Sequence, residues 1–148
     1  MFKWSYSEKV MTNATAEQVW AIWEQAELWP SWDSELTWVK LDGPFKSGTK
    51  GKMQPVGGPI VEFTLTEVEV NRRFVDRARL PLTNMEFSHF YELDDDKNGT
   101  ASICHSVTMT GLLAPLFGFI LGRKIKKHLR GAMEDLSQQA AQVQLNKK

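Results

Sequence analysis

The feature that most constrains this chain is a long stretch of alternating apolar and polar residues, followed by an abrupt change to helical spacing. From Leu36 to about Thr110 the period is two. It is broken only by turn-forming clusters: Asp42-Gly43-Pro44, Gly57-Gly58-Pro59, Asn71-Arg72, Pro81 and the segment Asp94 to Gly99. Alternation sends successive side chains to opposite faces of a strand, and Gly, Pro, Asn and Asp supply the backbone angles that reverse it. The pattern predicts strands near 36–41, 49–54, 60–70, 73–80, 84–93 and 100–110. The links between them are too short for crossover helices, so the sheet is expected to be antiparallel. Beyond Gly111, the residues Ile125, Leu129, Met133, Leu136, Ala140 and Val143 recur at three- and four-residue steps. That is the single apolar stripe of a long C-terminal helix.

The N-terminal part adds three elements. Phe2, Trp4 and Tyr6 alternate with polar residues and predict a strand ending near Thr12. Thr15-Ala16-Glu17-Gln18 fits a capping box, and Val19, Trp20, Ile22 and Trp23 supply the apolar face of a short helix to about Gln25. Pro30 then makes Glu27 to Trp32 a second short helical turn or a sharp bend. The expected class is α+β, with a seven-stranded sheet curled around one helix. With no repeat, linker or low-complexity tract, residues 1–148 read as a single domain.

Composition narrows the function classes. Lys plus Arg number 18 and Asp plus Glu number 18, so the formal charge is zero. A general nucleic-acid partner, which calls for a basic excess, is not expected. The lone Cys104 rules out an intrachain disulfide and suits a reducing compartment. Met1 to Val10 has charges at Lys3, Glu8 and Lys9 and lacks the apolar core of a secretion signal. The longest apolar run, Leu112 to Gly122, falls short of the ~20 residues of a membrane span. The expectation is a cytoplasmic protein. Six Trp, eight Phe and two Tyr call for an aromatic core, a ligand cavity or an interface. Trp20, Trp23, Trp29 and Trp32 belong to the two short helices and their packing, which leaves Trp38, several Phe and Tyr91 for a cavity.

Several local patterns have plain structural readings. Gly43 to Lys50 superficially resembles a phosphate loop, but its Lys and Thr are in the wrong order and a strand follows, so it reads as a turn. Asp94, Asp96, Asn98 and Gly99 match half a calcium loop, yet the position of the bidentate Glu holds His105. Arg123 to Arg130 is basic around the Ile125/Leu129 stripe. It reads as a solvated helix face, or as a contact for an anionic membrane. Gly118 and Gly122 point to close packing or a kink. His89, His105 and His128 lack a zinc spacing, and neither metal nor organic cofactor is expected.

His89 and His105 carry the most chemistry. In the strand 84–93, Met85, Phe87, His89, Tyr91 and Leu93 share one face; in 100–110, Ile103, His105, Val107 and Met109 do. Apolar faces point inward, so both imidazoles are expected inside. If Leu93 pairs with Ala101, the histidines are cross-strand neighbours; a two-residue shift would put Tyr91 opposite His105. Such a pair could position or protonate a polar group on an apolar ligand, or each could be a neutral, satisfied core residue. Asp33 and Asp76 are possible carboxylate partners.

With this order of elements, the sequence resembles the START-like, or SRPBCC, superfamily, and within it the polyketide cyclase/dehydrase-like branch. The matching pieces are Ala14 to Trp20, Leu28-Trp29-Pro30-Ser31-Trp32-Asp33, Leu41 to Thr49, Arg72-Arg73-Phe74-Val75 and Gly111 to Leu116. The resemblance implies a helix-grip fold, a curved antiparallel sheet gripping the C-terminal helix with a cavity between. Its members bind lipids, sterols, polyketides and other apolar molecules, and some cyclise or dehydrate them.

The leading expectation is therefore a binding protein for a small hydrophobic ligand. Candidate lining residues are Trp38, Met53 and Phe63 from the early strands, Phe87, His89, Tyr91, His105 and Val107 from the late ones, and Phe117 and Ile120 from the helix. The alternative is a cofactor-independent cyclase, dehydratase or hydrolase with His89 and His105 as acid/base pair and Tyr91 as hydrogen-bond donor. A third is a membrane-surface module using Leu112–Leu121 and the basic segment.

Overall fold

In the computed structural model, which describes residues 2–93 and 100–145, the alternating segments become seven strands. They are β1 (Phe2–Thr12), β2 (Leu36–Leu41), β3 (Lys50–Pro55), β4 (Val61–Glu69), β5 (Arg73–Leu80), β6 (Thr83–Leu93) and β7 (Ala101–Gly111). All neighbours are antiparallel, in the order β1-β7-β6-β5-β4-β3-β2. Short turns make β2 to β7 sequential neighbours, and β1 closes the series against β7. The half calcium loop and acidic tip at 94–99 lie outside the described residues.

Two irregularities bend the sheet. The pairing slips between Leu36 and Trp38 in β2 and between Leu65 and Glu67 in β4. An extra residue on one strand kinks it and increases its twist, which helps the sheet wrap around a helix. That helix, α2 (Ala114–Ala141), ends two residues before Val143. The expected stripe is buried at Met133, Leu136 and Ala140, and Pro115 sits in its first turn, where its missing N–H costs nothing.

Helix α1 (Ala16–Trp23) starts at the predicted box. Thr15 Oγ1 accepts the Gln18 N–H at 3.1 Å, and Gln18 Oε1 accepts the Thr15 N–H at 2.9 Å. The same Gln18 donates through Nε2 to the Val143 carbonyl at 3.0 Å, which ties α1 to the segment after α2. A 3-10 turn, Ala26–Ser31, follows, with Pro30 inside it. The main core joins Trp20, Trp23, Trp29 and Trp32 to Phe63, Leu65, Phe74, Ile103 and the C-terminal half of α2. A second cluster, around Val107, Met109 and Ala114, lies under the N-terminal half.

That half is seated by two glycines. A Cβ at Gly118 would stand 2.6 Å from Trp4 Cγ and Cδ1, and one at Gly122 would stand 2.6 Å from Trp4 Cζ2. The indole of β1 thus lies across the helix backbone, and the Gly118/Gly122 pair means close packing. Gly118→Ala is expected to destabilise the fold by about 1–3 kcal/mol through overpacking. Gly131, where an added Cβ meets nothing within 4 Å, is the control. Gly131→Ala is expected to gain up to ~1 kcal/mol from helix propensity. Urea unfolding measures both, and a neutral Gly118→Ala would contradict the seating.

Candidate functional site

The pairing of β6 with β7 builds the site. Leu93 pairs with Ala101 and His89 with His105, the first of the two registers the alternation allowed. Pairing partners share a face, so one inner row runs Phe74, His89, His105, Glu8 across four strands. The imidazoles lie 4.5 Å apart between centroids at 77°, edge to face. Phe74 stacks on His89 at 3.9 Å. His89 Nδ1 donates to the Phe74 carbonyl at 3.3 Å, an oxygen that can only accept.

Tryptophans from α1 and the 3-10 turn close over this pair. Trp23 is 6.2 Å from His89 and 5.9 Å from His105, Trp32 is 5.9 Å from His105, and Trp29 is 6.4 Å from His89. Trp29 is fixed by its own Nε1, which donates to the Trp23 carbonyl at 2.9 Å. The histidines are left 8% and 4% exposed. Trp23, Trp29 and Trp32 pack in the main core, as their assignment to the short helices and their packing expects, and there they also stand beside the imidazoles. Trp38, expected to line the cavity, lies elsewhere: the β2 slip and the Val39–Met53 pairing place it on the opposite face, bonded through Nε1 to Gln54 Oε1 at 3.0 Å.

The other expected lining residues divide by position. Met53 is on the inner face opposite Val39, and Phe63 is buried 5.9 Å from the Trp29 ring. Phe87, half-buried, and Val107 pair with each other on the next inner row, with Phe117 packed against them from α2. Tyr91 is half-buried, but its hydroxyl donates to the Ala14 carbonyl at 2.7 Å and is committed to the backbone before α1. Ile120 is 54% exposed, because it lies on the side of α2 turned away from the sheet.

Asp76 is the residue whose place the sequence left open. It pairs with Leu65 and Phe87 on the inner face and is 2% exposed, one step along the strand from Phe74. The period-two run Phe74, Asp76, Ala78, Leu80 carried that signal: an acid alone on an apolar face. Asp33 instead caps a turn, its Oδ1 accepting the Glu35 N–H at 3.0 Å. Glu8, opposite His105, turns its carboxylate to the Tyr6 hydroxyl and to Arg130 Nη1.

Burial sets the charge state of this interior. It pushes the His89 imidazole down to about 3, with the Phe74 carbonyl opposing. Burial also holds His105 well below its ordinary value, with His89 adding to the effect. Asp76 is pushed up to about 8, by burial first and by the Glu86 carboxylate second. At neutral pH the imidazoles are therefore uncharged and Asp76 keeps its proton. Within the same interior, Trp23 Nε1, Trp32 Nε1, His105 Nε2 and Asp76 Oδ1 have no hydrogen-bond partner among the described residues. No group of three or more possible metal ligands occurs among those residues either.

Comparison with known proteins places this geometry in context. The family described as "Polyketide cyclase / dehydrase and lipid transport" matches residues 3–142. No curated protein matches the sequence. A hypothetical protein of Helicobacter pylori superposes with a TM-score of 0.75 at 13% identity, covering 92% of this chain and 87% of its own. Norcoclaurine synthase from Thalictrum flavum, in complex with dopamine and hydroxybenzaldehyde, gives 0.72 at 13% identity over 98% and 90%. A di-domain ARO/CYC protein from the steffimycin biosynthetic pathway gives 0.73 at 12% identity over 93% of this chain and 50% of that one. At such identities the likeness is one of fold: the helix-grip arrangement of a curved sheet around a long C-terminal helix.

The buried groups make stability depend on pH in both directions. Below pH ~6.5 the unfolded chain binds protons at His89 and His105 that the folded chain refuses, down to about 3 in the case of His89, so stability falls as pH drops. Between ~4 and ~8 the folded chain holds a proton on Asp76 that the unfolded chain releases, so this group lowers stability as pH rises. Above pH ~6.5 only the Asp76 effect remains of the three, of order 1 kcal/mol per pH unit. Asp76→Asn is expected to flatten the decline between pH 6.5 and 8, read from urea midpoints. An unchanged slope would place the Asp76 carboxyl in water.

Proposed function

As the chain belongs to the polyketide cyclase/dehydrase and lipid transport family, we propose that it binds a small, largely apolar molecule, a lipid, polyketide or similar compound, between the curved sheet and the C-terminal helix. One observation carries this reading: Trp23 Nε1, Trp32 Nε1 and His105 Nε2, on rings that meet around His105, and Asp76 Oδ1 on the same inner face have no hydrogen-bond partner among the described residues, inside an otherwise apolar interior. Leaving such an atom buried without a partner costs about 1–3 kcal/mol, and folded cores rarely tolerate several together. A ligand bearing a hydroxyl or carbonyl would satisfy them. An ionised end group would not be favoured, because the imidazoles are neutral and offer no counter-charge.

In this reading the 3-10 turn moves when ligand enters, because Trp29 and Trp32 fill the space beside the imidazoles. Its ties to α2 are side-chain bonds, among them Gln139 Nε2 to the Ser31 carbonyl at 2.9 Å. A second reading, acid–base turnover of the bound molecule, is favoured by Asp76 sharing the inner face with His89 and His105. There Asp76 gives a proton and an imidazole accepts one, while the Tyr91 hydroxyl stays with Ala14. Asp76→Asn would then keep binding and lose conversion, followed by mass spectrometry of the ligand.

Binding is tested with neutral lipids, sterols and aromatic polyketides. A ligand at a hundred times its Kd adds about 2.7 kcal/mol of stability, and the tryptophan emission is expected to change with it. Native mass spectrometry of freshly purified protein identifies any co-purified molecule. His105→Leu is expected to leave the unliganded protein as stable, or more so by up to ~1 kcal/mol, because an orphaned polar atom is replaced by an apolar one. It is also expected to weaken binding. Melting temperature and emission that stay fixed across all three ligand classes would overturn the reading.

A further inference from the structure

The N-terminal half of α2 carries a second apolar surface that the fold does not use. Phe119 and Ile120 are 63% and 54% exposed, and Leu112 and Leu116, one turn earlier, are exposed as well. On a 3.6-residue helix Leu116, Phe119 and Ile120 fall on one side, opposite the buried Gly118, Gly122 and Ala132, and Leu112 lies in the turn just before α2. The same side continues into Arg123, Lys126, Lys127 and Arg130. From Leu112 to Met133 there is no Asp or Glu.

These cations are largely unneutralised. Arg130 pairs with Glu8 at 3.2 Å, but Arg123, Lys124, Lys126 and Lys127 make no ion pair among the described residues. Arg123 instead lies over the Phe119 ring at 4.8 Å, and Lys126 faces the Tyr6 and Trp4 rings at 5.6 and 6.0 Å. Between this side of α2 and β1 runs a groove of about 560 Å³, lined by Phe2, Trp4, Pro115 and Phe119 with Lys3, Arg123 and Lys126 at its polar edge. Large apolar groups beside unpaired cations match the acyl–headgroup boundary of a bilayer bearing negative charge. No helix among the described residues is long and apolar enough to cross one. A second copy is a poor occupant, since it would bring the same cations face to face.

We propose that this face, the exposed side of α2 from Leu116 to Arg130 with Leu112 in the turn before it and the start of β1, docks on an anionic lipid bilayer. Phe119, Ile120 and Leu116 enter the boundary region, and Arg123, Lys126 and Lys127 meet the phosphates. The test is flotation of the whole chain with vesicles of phosphatidylcholine alone or mixed with phosphatidylglycerol. Binding is expected to the mixed vesicles only and to fall as salt rises. Arg123→Gln with Lys127→Gln is expected to lower partitioning roughly 25-fold, about fivefold per charge removed. Phe119→Ser, which leaves the charge unchanged, is expected to lower it about tenfold through lost apolar burial. Circular dichroism and melting temperature confirm that each variant folds. Equal binding to phosphatidylcholine, no binding at low salt, or full binding by the variants would overturn the proposal. So would a dimer abolished by these substitutions in a protein that ignores vesicles.

Discussion

The pairing of β6 with β7 is the constraint on which the rest of this structure depends. Side chains alternate with a period of two, so a slip of one residue between the strands would turn one of the two histidines to solvent, driving Ser88 inward if β6 flipped, or Cys104 and Ser106 if β7 did. The observed register puts Ile103, Val107, Met109 and Phe87 into the interior, and the imidazoles come with them. The apolar majority of these two strands dictates where their polar minority goes. Two polar rings are thus carried into the core by the burial of their neighbours.

The consequences spread along the inner row. His89 is stacked by Phe74 and bonded to its carbonyl, so one partner fixes both the ring plane and the nitrogen that carries the hydrogen. Among the described residues, His105 has no such bond at Nε2 and is met by Trp23 and Trp32, whose own N–H groups are also unpartnered there. Asp76 adds an acid that stays neutral for the same dielectric reason that keeps the imidazoles neutral. The interior is polar in its atoms and uncharged in its state. That combination weakens a core as a structural element, and under the proposed function it would discriminate among ligands by hydrogen bonding.

Much of this was legible in the residues, for local reasons. The capping box, the strand limits and the stripe on α2 depend on neighbours three to eight residues away, and all of them form. The His89–His105 pairing was legible as one of two registers, because a short turn limits the slip. Trp38 was misplaced because the irregularity at Leu36 is not written in the alternation that it interrupts. For Trp29 and Trp32 the packing was legible but the neighbours were not: a 3-10 turn has too few residues to show a face. Which way its rings point is decided by Phe63, Phe74 and the imidazoles, all distant in the chain. Tyr91 was placed on the correct face, but its hydroxyl found a carbonyl 77 residues away.

The position of β1 has a consequence for the order in which the chain can fold. Its hydrogen-bonding partner is the last strand, Phe2 opposite Gly111 and Thr12 opposite Ala101. β1 therefore leaves the ribosome well before the strand it pairs with, and it waits through the synthesis of β2 to β7. Closing so long a loop is entropically costly before any contact compensates, which slows folding of sheets built this way. Throughout that interval Phe2, Trp4 and Tyr6 stay unpaired on a nascent edge, and Trp4 must further await the two glycines of α2. β1 can take its native place in the sheet only once β7 has been made.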